Sequence, residues 1–465
     1  MWTLVEKILN QILDGYEQEM QADLCRLLTF DTTKAEPQKM APFGQGIADA
    51  LDFVLQKAAG WGFACQNLDG YVGLVDYGSG PQQAGVLSHL DTVPIGNGWT
   101  VDAFGGRIID GKIYGRGAVD NKGPLMACLY AARAIKESGL PCRFALRQIL
   151  GTDEESGFGC MKYFLQKCQP PDFGFTPDAD FPLIYGEKGI IHLELTADFI
   201  TDGGIVVSAM KGGVGGNVIP DRAEAMLCCD EDDKRLIRQL FDQYRQKDDL
   251  ILLEEDNGYK VVAKGKTAHG SIPCKGCNAI VLLWDFLRRL PLGGSAGSFI
   301  SSCYKLLGQD FDGTALGAYA EDEYAKTSMA PTLLFLEGQK ASVHIDFRFP
   351  ITFNGQYFCD KILKTAVKHQ MKISCWKCKE PLFVPLDSPF LQKILAAYRE
   401  MTGDMGEPLV IGGGTYARSF KNFVGYGPLF PGQEMLAHQA DEYMTTEDLL
   451  LLSKIYSQTM YNLIK

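Results

Sequence analysis

The chain has 465 residues and a mass of 51.2 kDa. At about 100–200 residues per domain this means two to four domains, or one large domain with an insertion. Hydrophobic residues make up 46% and charged residues 22%, which excludes a disordered chain, and the net charge of −12 argues against nucleic-acid phosphates or anionic membranes as partners.

Apolar residues at helical spacing predict helices over residues 2–28 (Val5, Ile8, Ile12) and 46–58 (Ile47, Leu51, Val54, Leu55). The apolar runs YVGLVDY (71–77) and AGVLSHL (84–90) read as strands. A helix from about Lys122, a strand over 143–150, a helix near 157–168 and short strands at 173–176 and 183–186 follow. This alternation predicts an α/β layered domain with a mostly parallel sheet, whose ligand site lies beyond the carboxyl ends of the strands. From about 188 the texture becomes antiparallel: IIHLELTADF, AEAMLCC, YKVVAK, ASVHIDFRF and MKISCWK, with helices near 233–245, 276–290 and 354–369. After Pro385 helices return near 388–402 and 446–464. The expected organisation is a catalytic domain over 1–187 and 385–465, interrupted by an inserted α+β domain over 188–384.

The opening MWTLVEKILNQILDGYEQEM is broken by charges and amides, so it has no signal-peptide core. No run approaches the roughly 18 apolar residues of a spanning helix. The expectation is a cytoplasmic protein with reduced thiols, which the 14 scattered cysteines fit. Two C-x-x-C pairs, Cys274/Cys277 and Cys375/Cys378, have the spacing of half a zinc site or a redox pair. Neither has a βαβ context, and both are read as incidental.

The chemistry is concentrated in SHLDTVPIGNGW (88–99), GRGAVDNKGP (115–124), GTDEESG (151–157), FTPDADFP (175–182) and PGQEMLAHQADEY (431–443). Taken singly, each acid reads as a turn former or helix cap. Together, two histidines, several aspartates and a Glu-Glu pair at strand ends of one α/β pattern fit a two-metal hydrolase site.

With these motifs in order, the sequence resembles the cocatalytic-zinc metallopeptidase family of carnosinases, aminoacylases and succinyl-diaminopimelate desuccinylase. It is most similar to the long-lid bacterial dipeptidases of that family, which act on short peptides including β-alanyl ones. The resemblance covers nearly the whole chain. It implies a zinc-peptidase-like catalytic domain with an inserted lid, and two divalent metal ions. Zn2+ is the first candidate for imidazole and carboxylate ligands, with Mn2+ or Co2+ able to substitute.

The resemblance implies His89 and Asp178 as terminal ligands of one metal, Glu155 and His438 of the other, and Asp120 as the bridge. It implies a cis bond at Asp120–Asn121, Glu154 as general base, and Asp91 as the residue that orients His89. Three carboxylates and a hydroxide then balance two divalent ions. From the lid, His269 in AHGSIP is implied as the oxyanion donor. Asn217, Arg348 and Arg418 are implied as contacts for substrate carbonyl and carboxylate groups. Arg116 and Arg222 are read as structural, and His192, His344 and His369 as non-ligands. The implied function is a dipeptidase acting through a dimetal-bound hydroxide on small peptides such as β-Ala-Xaa or Xaa-His. A deacylase or desuccinylase of amino acids is the alternative, and a non-catalytic metal-binding relative the third reading. The insertion has room for two small lid units in one chain, so a monomer is expected.

Overall fold

The computed structural model describes residues 4–465. The chain divides into two compact units. One comprises the chain up to Gly186 with Phe383–Leu409 and Gly414–Lys465; the other comprises Glu187–Leu382 with Val410–Gly413.

The first unit is built on a mixed sheet. Four neighbouring strands, Ala145–Gly151, Gln83–His89, Phe173–Thr176 and Phe423–Gly425, run parallel. They are flanked by antiparallel strands: Val72–Tyr77 and Ala64–Leu68 on one side, Ile184–Glu187 on the other. The parallel texture therefore belongs to the centre of the sheet. The sequence pattern did not separate the outer hairpin from it, because YVGLVDY is as continuously apolar as a buried parallel strand.

Helix Lys122–Ser138 buries almost every side chain from Lys122 to Ile135. It packs against Leu4–Leu28 and Thr446–Ile464. The last helix starts on Thr445, whose hydroxyl accepts the Asp448 N–H at 2.9 Å, the usual repair for an unpaired first-turn amide. A three-stranded sheet the sequence reading missed pairs Lys112–Tyr114 with Arg107–Ile109 and with Tyr443–Thr445. Strands of three residues are too short to show periodicity. This sheet nonetheless ties the segment before Asp120 to the segment after His438.

The second unit is one eight-stranded antiparallel sheet. Its order is Leu250–Glu255, Gly258–Lys264, Arg222–Cys228, Val206–Gly212, Ser328–Glu337, Lys340–Phe349, Gly189–Asp198 and Lys372–Lys379. The two four-stranded halves share a course. In each, a hairpin is followed by a helix, Glu231–Asp242 or Gly355–Lys368, which leads to the outermost strand. The core of this unit gathers Leu193, Val261, Trp284, Phe286, Val343 and Phe347, all almost fully buried. Helix Gly294–Leu307 is not among the expected elements. Burial of Phe299, Ile300, Cys303 and Leu307 outweighs the weak helix propensity of its glycines. Among the described residues no helix is long and apolar enough to cross a membrane.

Candidate metal centre and lid site

In the first unit, three acidic or imidazole-bearing segments leave the carboxyl ends of adjacent parallel strands. His89 ends one strand, Glu154 and Glu155 follow the strand closing at Gly151, and Asp178 follows the strand closing at Thr176. Asp120 lies in the turn before helix Lys122–Ser138, joined to Asn121 by a cis peptide bond. His438 comes from the loop before the last helix.

Two groups of donor atoms result. His89, Glu154 and Asp178 offer atoms within 4.8 Å of one another, and so do Asp120, Glu155 and His438. Asp120 connects them: its Oδ1 is 2.9 Å from His89 Nε2 and its Oδ2 is 3.1 Å from His438 Nε2. His438 Nε2 is also 3.2 Å from Glu155 Oε1. The donors fit a pair of cations. His89 is fully buried, and its Nε2 and the facing Asp120 Oδ1 make no aligned hydrogen bond. Its Nδ1 lies 2.9 Å from the Asp91 carbonyl, which can only accept, so Nδ1 carries a proton and Nε2 is the nitrogen turned to the acidic cage.

Charge shapes the cage. Burial opposes ionisation of His89, but Asp120, Asp178 and Asp91 raise it well above the usual imidazole range. Hydrogen bonds to Asp120 and Glu155 raise His438 to about 10. Burial also opposes the Asp120 charge, yet His438 and His89 hold that carboxyl below the usual range. Burial, and then the Asp178 charge, push Glu154 well above it. These shifts mark a site where negative charge is concentrated, charge that bound cations would balance.

Asp91 touches both His89 and the Glu pair. Its carbonyl, not its carboxylate, holds His89; the carboxylate is 3.6 Å from Nδ1. Instead it accepts the Glu154 and Glu155 N–H groups at 3.0 Å each, fixing the Glu-Glu pair. Asn121 performs a similar service. Its Oδ1 accepts the His89 N–H at 3.3 Å and its Nδ2 donates to the Pro177 carbonyl at 2.6 Å.

The residue the sequence reading missed is Glu442, which is 0% exposed. Its carboxylate accepts from Arg116 Nη1 at 2.8 Å and from the N–H groups of Gly117, Val119 and Asp120 at 3.0, 2.8 and 3.1 Å. It therefore anchors the turn bearing Asp120 to the chain four residues after His438. The acid in HQADEY was its only sequence signal. Glu442→Gln should weaken metal binding about 10–100-fold, the usual cost of losing a partner behind the ligands. Competition with a chromophoric chelator measures this, and unchanged affinity would remove the anchoring role.

In the second unit, Asn217 and His269 are neighbours. Val218 and His269 form an antiparallel bridge, and the Gly270 N–H donates to the Asn217 carbonyl at 2.7 Å. Arg348 is 2% exposed. Its Nε and Nη2 engage Asp346 Oδ1 and Oδ2 at 3.0 and 2.8 Å, and its Nη1 donates to the Gly412 carbonyl at 2.6 Å. One edge of the fork is thus already filled by a carboxylate of the protein. Arg418 belongs to the first unit, on the short helix Tyr416–Ser419, half-buried.

The remaining candidates lie elsewhere. His192 and His344 stack with ring centroids 5.4 Å apart, and His369 contacts the Ser302 hydroxyl at 3.3 Å. Arg222 lies on the surface beside Glu224. Cys274 and Cys277 are exposed and unbridged. The Cys375 side chain of the other pair lies outside the described residues.

The profile of peptidase family M20/M25/M40 matches residues 85–462. A Bacillus subtilis (strain 168) protein named "Putative dipeptidase YtjP" is 35% identical over 441 residues, 94% of each chain. A similarly named Staphylococcus haemolyticus protein is 31% identical over 460 residues, 96% of this chain and 97% of its own. Human carnosine dipeptidase 1 superposes with a TM-score of 0.60 at 15% identity, covering 99% of each chain. Dug1p, a di-peptidase of Saccharomyces cerevisiae, does so with 0.57 at 14%, covering 98% of each. These two share the fold.

Proposed function

The chain belongs to peptidase family M20/M25/M40, and we propose that it is a metal-dependent dipeptidase hydrolysing the peptide bond of short peptides, β-Ala-Xaa or Xaa-His among them. The observation that carries this reading is the pair of donor groups joined through Asp120. His89 and Asp178 would hold one cation, Glu155 and His438 the other, with Asp120 between. Imidazole and carboxylate without thiolate suit Zn2+, with Mn2+ or Co2+ as substitutes. Bound there, two divalent cations would acidify water and polarise the scissile carbonyl.

The chain's own residues supply the rest. Glu154, whose basicity is raised by burial, takes a proton from the attacking water and passes it to the leaving amine. His269 donates to the oxygen on which negative charge develops. Asn217 contacts the substrate carbonyl. Arg348 and Arg418 receive the free carboxylate, Arg348 through the N–H groups that Asp346 and Gly412 leave over. The test is to strip the protein with chelator, restore Zn2+ or Mn2+, and assay dipeptides beside N-acetyl and N-succinyl amino acids. Turnover of the acylated amino acids alone would replace this reading with the deacylase, and no turnover of either with the non-catalytic relative.

Peptides longer than about three residues should be poor substrates. An arginine that pairs with the free C-terminal carboxylate selects for length, because an added residue puts a peptide bond where the carboxylate belongs and leaves the cation underpaired. Efficient cleavage of a C-terminally blocked pentapeptide would contradict this.

We also place the active protein in the cytosol as a monomer. The exposed, unbridged Cys274 and Cys277 support the compartment. The continuous eight-stranded sheet supports the monomer, since two four-stranded halves already pair through Val206–Gly212 and Ser328–Glu337 within one chain. Sedimentation at catalytic concentrations should give one species of about 51.2 kDa. Activity that tracks a dimer, with rescue on mixing His269→Ala and Asp120→Ala chains, would reverse this.

A further inference from the structure

The segment His269-Gly270-Ser271 forms a closed loop. The Ile272 N–H donates to the His269 carbonyl at 2.9 Å, and the Gly270 N–H to the Asn217 carbonyl at 2.7 Å. A Cβ on Gly270 would lie 2.2 Å from the Asp346 carboxylate, so only glycine permits this approach. Within the loop the His269 ring turns back on its own chain. Its Nδ1 lies 2.6 Å from Ser271 Oγ and 3.3 Å from the Ser271 amide nitrogen.

An amide N–H can only donate. Its approach to Nδ1 requires a lone pair there, and the hydroxyl then donates to that same lone pair. A proton on Nδ1 would face the amide proton instead. We propose that Ser271 is a positioning residue for His269: its amide and hydroxyl hold Nδ1 as an acceptor, so the ring proton stays on Nε2, the nitrogen left to meet substrate. This rests on the reading of His269 as the oxyanion donor and adds what makes it one, since a neutral imidazole donates from one nitrogen only. Partial desolvation, and then the Arg348 cation, lower the His269 pKa and favour the neutral ring. The Ser271 side chain is confined as well, because a Cβ on Gly412, whose carbonyl Arg348 grips, would come within 2.7 Å of Ser271 Cβ.

The test uses the metal-loaded full chain with 15N-labelled histidine. Resonances lost in His269→Ala assign the ring. The wild-type protein should show the Nε2–H form, and Ser271→Ala should shift it toward a mixture of the two neutral forms. Loss of one hydrogen bond predicts a fall in kcat of about tenfold in Ser271→Ala, with KM unchanged, because the donated bond matters most as charge develops. A wild-type ring protonated on Nδ1 overturns the proposal, and so does full kcat in Ser271→Ala. Full turnover by His269→Ala would instead overturn the oxyanion reading and the kinetic half of the proposal with it, a result the ring spectrum tells apart.

Discussion

Glu154→Gln should retain both metal ions and lose about 10²–10⁴-fold in kcat, the usual contribution of a positioned general base. The amide keeps the shape of the side chain and cannot accept the water proton. Glu154 and Glu155 are adjacent, and both N–H groups are fixed by the Asp91 carboxylate. Their side chains nevertheless join different donor groups, Glu154 with His89 and Asp178, Glu155 with Asp120 and His438. Burial and the Asp178 charge raise Glu154 well above the ordinary carboxyl range, which makes it a stronger base than a solvated carboxylate. The proximity of Glu154 to His89 and Asp178 also allows it to act as a ligand. Elemental analysis beside the kinetics separates the roles, because loss of a ligand lowers metal content and loss of a base does not. A Glu154→Gln protein with near-normal kcat would refute the role of base, and one with half the metal would make Glu154 a ligand.

His89 and the Glu pair were legible because they stand where an apolar strand gives way to Gly, Pro and acids. His89 after AGVLS and the Glu pair after ALRQIL are such places, and parallel strands point their carboxyl ends one way. What holds those donors was not legible. Glu442 meets Arg116 across 326 residues of sequence, and no local pattern announces such a contact. The three-residue strands that align these segments are too short for periodicity. Asp346 is a different case. In HIDFR it stands two residues before Arg348, and period-two alternation puts both on one face of a strand. The sequence thus contained the partner that fills the Arg348 fork.

Asp120→Ala should abolish binding of the metal pair, and Asp120→Asn should leave at most one ion per chain. The reasoning starts from two oxygens on one side chain. Oδ1 faces His89 at 2.9 Å and Oδ2 faces His438 at 3.1 Å, so each half of the cage takes one oxygen. An asparagine offers one oxygen and one NH2 group, and the NH2 repels a cation in whichever half it faces. Alanine offers nothing, and leaves two imidazoles without the carboxylate between them. Glu442 holds the Asp120 N–H at 3.1 Å, so the backbone of the turn stays anchored in either variant and the loss is one of ligands rather than of fold. Cations acting on both water and carbonyl contribute several kcal/mol, so turnover should fall on the order of 10²-fold or more in both variants. Elemental analysis after desalting reads the stoichiometry directly, with circular dichroism to establish that the chain is folded. Two ions per chain in a folded Asp120→Ala protein would show that His89 and Asp178 on one side, and Glu155 and His438 on the other, bind metal without a shared carboxylate, and Asp120 would then be no bridge.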